Sequence, residues 1–267
     1  MTDHTALLRA DRWADELSQW AIPDEILALA PEPPWSFPTE IWERSARYEV
    51  AEEPLSTSSR RSLEVLDGLA GRGTVLDVGA GAGAASLPLG GAAAQITALD
   101  EREAMLAAFR RLAEERGYTV RTVLGRWPNA APDVQAADVV VCNHVLYNVP
   151  DIIEFVSALS DHATRRVVME ITATHPLTSM KPLWLAIHGL ERPNGPTADD
   201  AYDVIRAMGI PARMERSARK HEESDEDRAA RVALARRRLC VGSERDGEIA
   251  ALLLEESREV VTIWWDT

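Results

Sequence analysis

Val75-Leu-Asp-Val-Gly-Ala-Gly-Ala-Gly83, with Ile96-Thr-Ala-Leu-Asp100 after it, is the stretch whose reading decides the fold. The apolar run Thr74–Val78 has the look of a buried strand, and the glycines after it mark a sharp turn. Glycine lets a backbone approach a ligand closely and take positive φ without steric cost. The turn is expected to open a helix, whose free N–H groups and positive dipole end suit a carboxylate or a phosphate. Asp100 closes the second run, where a carboxylate can accept two hydrogen bonds from a ribose diol. Alone, a Gly-x-Gly-x-Gly is weak evidence, because tight turns also use glycine for purely structural reasons.

Outward from this stretch, helical and strand patterns alternate from Ser58 onward. Ser59 is placed to cap a helix with Leu63, Leu66 and Leu69 on one face, ending near Gly71 and Gly73. A charged helix is expected from Glu101 to Arg116. Further strands are expected over Tyr118–Leu124, Ala137–Cys142 and Arg166–Ile171, the last two separated by a helix from Asp151 to Leu159. Thr197-Ala-Asp-Asp200 has the form of a capping box opening a helix through Met208. A strand across Ile210–Arg219, helices over Asp225–Arg238 and Glu244–Leu254, and a strand over Glu259–Trp265 complete the pattern. Short β-branched runs alternating with helices argue for an α/β fold with a parallel sheet covered on both faces.

Residues 1–57 differ in kind. They carry Trp13, Trp20, Trp35 and Trp42 and a proline cluster, Pro31, Pro33, Pro34 and Pro38. Short helical patterns there are broken by prolines, which lack the N–H a helix interior requires. The segment is expected to be a helical arm packed on a main domain over 58–267, either covering apolar surface or closing as a lid.

The 267 residues are 46% hydrophobic and 27% charged, close to the average of a soluble globular chain, so there is material for a full core. A formal charge of −14 repels phosphate backbones and argues against nucleic acid as a partner unless basic residues are segregated. Cys142 and Cys240 are too few for a disulfide framework or a four-cysteine zinc site, and the six histidines are scattered, so no metal is expected. With no signal-peptide pattern and no long apolar run, a cytoplasmic location away from membranes is expected.

The two glycine-to-acid motifs together resemble the first and second motifs of class I S-adenosylmethionine-dependent methyltransferases. The resemblance spans roughly residues 58–219 plus the last strand. It implies a Rossmann-like seven-stranded sheet in order 3-2-1-4-5-7-6 with strand 7 antiparallel, a helical insertion at about 222–257, and S-adenosyl-L-methionine as cofactor. The glycine turn (Gly79, Ala80, Gly81, Gly83) would lie under the methionine part, Asp77 near its amino group, and Asp100 with Glu101 at the ribose. Gly125, Arg126 and Trp127 follow strand three, and Asn143 and His144 follow strand four near the methyl position. No acid stands after strand three where family members often hold the adenine amino group, so backbone groups and packing against Trp127 are expected there. The Asn/Asp-Pro-Pro-aromatic signature of many amino-methylating enzymes is also absent.

His144 is a candidate base for a hydroxyl acceptor, with Tyr147 a second candidate. Glu170 interrupts a buried apolar run and must pair with something, a structural partner or the substrate. His175, before Pro176, is a weaker candidate base. The stretch Leu177–Pro196 is expected to wall the acceptor site, a small molecule attacked at oxygen or nitrogen. Arg236-Arg-Arg238 lies in a locally basic segment, read as a solvated helix face or as a receiver for an acidic substrate. Gly79-Ala-Gly81-Ala-Gly-Ala84 also satisfies a dinucleotide fingerprint, so a nicotinamide oxidoreductase is the competing reading. A non-catalytic cofactor-binding module and an RNA methyltransferase remain as further alternatives.

Overall fold

A computed structural model gives the structure; it describes residues 4–35, 43, 44, 46, 47, 50, 55–69, 73–218, 225–254 and 259–267. Trp42 and Pro38 lie outside the described residues. The helices are α1 (His4–Ser18), α2 (Asp24–Leu27), α3 (Thr57–Leu66), α4 (Glu103–Glu114), α5 (Ile152–His162), α6 (Lys181–His188), α7 (Ala198–Ala207), α8 (Asp225–Arg238) and α9 (Asp246–Leu252). The strands are β1 (Gly73–Val78), β2 (Ala93–Asp100), β3 (Val120–Leu124), β4 (Ala137–Asn143), β5 (Ala163–Thr172), β6 (Arg213–Ala218) and β7 (Glu259–Asp266).

The seven strands form one sheet in the order β3-β2-β1-β4-β5-β7-β6. The first five are parallel, and β7 runs antiparallel to both β5 and β6. This is the Rossmann-like order expected from the motifs.

Alternation along the strands divides the core in two. Leu76, Val140, Val167, Ile263 and Trp265 face α5, α7 and the buried ring of Trp13. Val75, Val139, Val141, Val168 and Trp264 face Leu66 of α3 and Phe109 of α4. On the second face the apolar series is interrupted by Asp77, Glu170 and Thr262, all fully or almost fully buried.

Two local expectations are corrected. No α-helix follows the glycine turn; residues 79–92 are turns with one 3-10 turn, Leu87–Leu89. Pro88 removes a helix donor and Gly90-Gly91 follow at once, so the segment cannot propagate a helix. The cap of α3 is Ser56, whose side chain accepts from Ser59 N–H, rather than Ser59. The capping box of α7 forms as expected, with Thr197 and Asp200 satisfying each other's backbone N–H.

The arm is built into this framework. Trp13 is buried in the larger core, and its indole N–H donates to the Val149 carbonyl at 2.8 Å. A third apolar cluster joins α6, α8 and α9 to Ile22 and Ile26 of the arm, forming a helical cap. Because Trp13 fills core volume, Trp13→Ala should cost about 3–5 kcal/mol in urea denaturation. A loss within experimental error would show the arm to be a loosely held strap.

Candidate functional site

The carboxyl ends of β1, β2, β4 and β5 meet at one edge of the sheet, where ligands of open α/β folds bind. Gly79, Gly81 and Gly83 all take positive φ, at 70°, 52° and 99°. A Cβ on Gly79 would strike Val145, and one on Gly83 would strike Leu87 and Phe109, whereas one on Gly81 would meet open space. The turn is pinned from β2. Asp100 accepts from Gly81 N–H and from Arg102 N–H, both at 2.9 Å, while Gly79 and Ala80 donate to the Leu99 carbonyl.

Beneath the turn lies Asp77, without solvent exposure. Ser86 donates to its Oδ2 at 2.5 Å, while Oδ1 has no partner among the described residues. Burial pushes this carboxyl up to about 7, against the Ser86 hydrogen bond and with a contribution from Asp100.

At the ends of β4 and β5 a second polar group forms. Glu170 accepts from the Ser58 hydroxyl at 2.9 Å, and its Oε1 lies 3.3 Å from His144 Nε2. Asn143 donates to the same serine at 3.3 Å. Ser58 lies in the first turn of α3, where the helix dipole favours a carboxylate. His144 sits in the left-handed region, φ 58°, and its N–H donates to the Glu170 carbonyl, so the chain breaks from β4 with the imidazole turned toward the carboxylate.

Residues 75–165 match the family model of the methyltransferase domain. Over that stretch the chain is similar to methyltransferase domains. YcgJ from Bacillus subtilis shares the fold at 14% identity and a TM-score of 0.52, over 78% of this chain and 98% of that one. The magnesium protoporphyrin IX methyltransferase ChlM of Synechocystis, solved with bound SAH, is 17% identical over 98% of this chain and 99% of its own, with a TM-score of 0.49. An rRNA methylase from Streptococcus thermophilus is 13% identical over 80% of this chain and 97% of its own, at 0.44. No curated protein matches the sequence. None of the described helices is long and apolar enough to cross a membrane.

The residues singled out in the sequence separate into groups. Asp77, Gly79, Ala80, Gly81, Gly83 and Asp100 gather at one turn. Glu101 and Arg126 are exposed and face each other at 4.0 Å, beside Gly125, whose N–H donates to the Asp100 carbonyl. Trp127 is buried in the core, donating to the Phe155 carbonyl and packing edge-on to His162, so its ring is committed to the interior. Tyr147 donates its hydroxyl to the Thr172 carbonyl at 2.8 Å and packs between Trp13 and His175, and burial pushes its phenol upward.

His175 stacks on Trp20 at 4.3 Å and accepts from Leu177 N–H; burial, with the charge of Arg238, lowers it to about 4. The arginine triplet is no solvated face. Arg236 pairs with Asp246 at 2.8 Å, Arg237 with Glu32 at 2.9 Å, and Arg238 lies 4.0 Å over the Trp35 ring. Ser58 went unnoticed in the sequence, since nothing local links it to Glu170.

Asp77 and His175 act on stability in opposite senses. The folded state holds the Asp77 proton from the unfolded value, 3.8, up to about 7, so the stability this carboxyl contributes is full at low pH and lost as pH rises through about 7. His175 resists its proton, so its contribution is full above the unfolded value of 6.5 and lost as pH falls toward about 4. Between those limits they offset each other, and of the two only the Asp77 loss remains above 6.5. Asp77→Asn should therefore remove the decline in stability between pH 6.5 and 8, read by urea denaturation of the ligand-free protein. A variant that declines in parallel with the wild type would contradict the assignment.

Proposed function

We propose that the protein transfers a methyl group from S-adenosylmethionine to an oxygen or nitrogen atom of a small-molecule acceptor. The observation that carries this reading is the β1–β2 edge: a glycine turn pinned by Asp100 above a buried carboxylate with one unpaired oxygen. The free Asp77 oxygen suits the cofactor's ammonium group. Gly81 leaves space for close approach, and each Asp100 oxygen keeps a second lone pair for a ribose hydroxyl. Gly79, Ala80 and Gly83 shape the cradle for the amino-acid part, Glu101 stands beside the ribose, and Gly125 and Arg126 border the adenine end. Asn143 and His144 border the methyl end.

Bound there, the cofactor supplies a methyl group already activated for transfer. The chain's own task is then alignment of the acceptor and exclusion of water. His144 is the group we assign to take a proton from the acceptor, with the Glu170 carboxylate, itself held by Ser58, 3.3 Å from its Nε2. Tyr147, its hydroxyl committed to a carbonyl, is read as packing. The described parts of the arm and of the helical insertion cap the acceptor side.

Two physical arguments favour this reading over its competitors. A pyrophosphate needs the N-terminus of a helix, and here the turn leads into a 3-10 turn beside two carboxylates. An RNA backbone needs free cations, and Arg236 and Arg237 are engaged by Asp246 and Glu32.

Calorimetry with S-adenosylhomocysteine should give saturable binding, weakened by roughly 1.5–3 kcal/mol in Asp100→Ala. Unaltered affinity in that variant would remove Asp100 from the site. With a hydroxyl acceptor, His144→Ala should slow turnover about 100-fold or more while cofactor affinity holds. Retained turnover would point to an acceptor that loses its proton to water.

A further inference from the structure

Arg192 is the most conspicuous charge that the reaction, as proposed, does not use. It is 9% exposed and lies between the arm and the cap. One guanidinium nitrogen, Nη1, donates to the carbonyls of Gln19 (3.1 Å) and Ala21 (3.0 Å), just beyond the end of α1. The plane of the group covers the Trp184 ring, 3.8 Å from its centre. Nε and Nη2 are shielded from solvent and meet no acceptor among the described residues. Those two nitrogens form one edge of the guanidinium, with parallel N–H groups spaced to grip both oxygens of a carboxylate.

Burial without compensation is costly for a cation, and proteins normally place a carboxylate opposite it. Here burial alone lowers the Arg192 basicity, with no opposing acid contributing. The Arg192 edge faces no acid among the described residues, a specific arrangement on so acidic a chain. Its surroundings tie it to the acceptor side. Trp20, between the two carbonyls that Arg192 holds, stacks on His175 and donates to the Gly195 carbonyl at 2.7 Å. His175 in turn packs against Tyr147, at the loop after β4 that begins with His144.

We propose that the Nε–Nη2 edge of Arg192 binds a carboxylate carried by the methyl acceptor, at a position separate from the atom that is methylated. The inference rests on the methyl-transfer reading. The acceptor class is a carboxylic acid with an apolar body, because the indole of Trp184 lies over the guanidinium. A phosphate monoester is disfavoured: two charges would have to be desolvated against a single guanidinium edge. Because arm residues 19–21 cover Arg192, the acid enters as this end of the arm lifts, and its carboxylate then helps hold the arm down.

The test uses the full chain, titrated with S-adenosylhomocysteine and, separately, with sodium benzoate, benzamide and sodium sulfate, read by calorimetry and thermal shift. Benzoate should bind saturably to the wild type, and benzamide and sulfate should not. Arg192→Lys keeps the charge but loses the fork, and should weaken benzoate about tenfold or more. Arg192→Gln should abolish it. Both variants should bind S-adenosylhomocysteine within about twofold of wild type, which certifies their fold. Benzoate binding that is absent, matched by sulfate, or unchanged in both variants overturns the carboxylate site while leaving cofactor binding, and the methyl-transfer reading, intact. Arg192-dependent benzoate binding in a wild type that does not bind S-adenosylhomocysteine overturns both the acceptor assignment and methyl transfer.

Discussion

The hydrogen bond from Gly81 N–H to Asp100 is the contact on which this architecture depends. A glycine turn that continued into a helix would have its shape fixed by the helix itself. Here the chain after β1 makes only turns as far as residue 92, so the cradle's shape comes from β2: the Leu99 carbonyl holds Gly79 and Ala80, and the Asp100 carboxylate holds Gly81 and Arg102. One side chain therefore sets the geometry of the turn and presents charge at its rim. The parallel pairing of β1 with β2, in register from Thr74 to Val78, is what brings these two ends together.

A second constraint follows from the alternation of the sheet. Parallel strands buried on both faces leave no solvent for a polar side chain, so every carboxylate in them needs a partner. Asp77 and Glu170 occupy the same face, toward α3 and α4. Glu170 meets Ser58 and His144. Asp77 meets Ser86 with one oxygen only. Both Glu170 oxygens lie near a neighbour, whereas Asp77 Oδ1 has none among the described residues.

The strands were legible because β-branched runs such as Ala137–Cys142 and Glu259–Trp265 carry their burial in the sequence. Pairing order came from the resemblance of the glycine and acid motifs, since no local pattern specifies that β7 inserts between β5 and β6. The missing helix after the glycine turn had a visible signal, Pro88 followed by Gly90-Gly91, which the motif outweighed. Nothing local could reveal the Ser58–Glu170 bond or the setting of Arg192, as each joins residues more than a hundred positions apart. The arginine triplet misled for the same reason: its acids, Glu32 and Asp246, lie on other elements, and composition along one helix cannot show them.

The placement of the cap between β6 and β7 has a consequence for how the sheet assembles. β6 has a single neighbour, β7, and the two are separated by residues 219–258. A flexible loop of that length pays an entropic toll to close, growing by about 0.6 kcal/mol for each doubling. Helices α8 and α9 pack on each other and on α6, and in doing so shorten the stretch of chain that must be brought together. The cap thus works as a folded clasp that brings the sixth strand to the seventh.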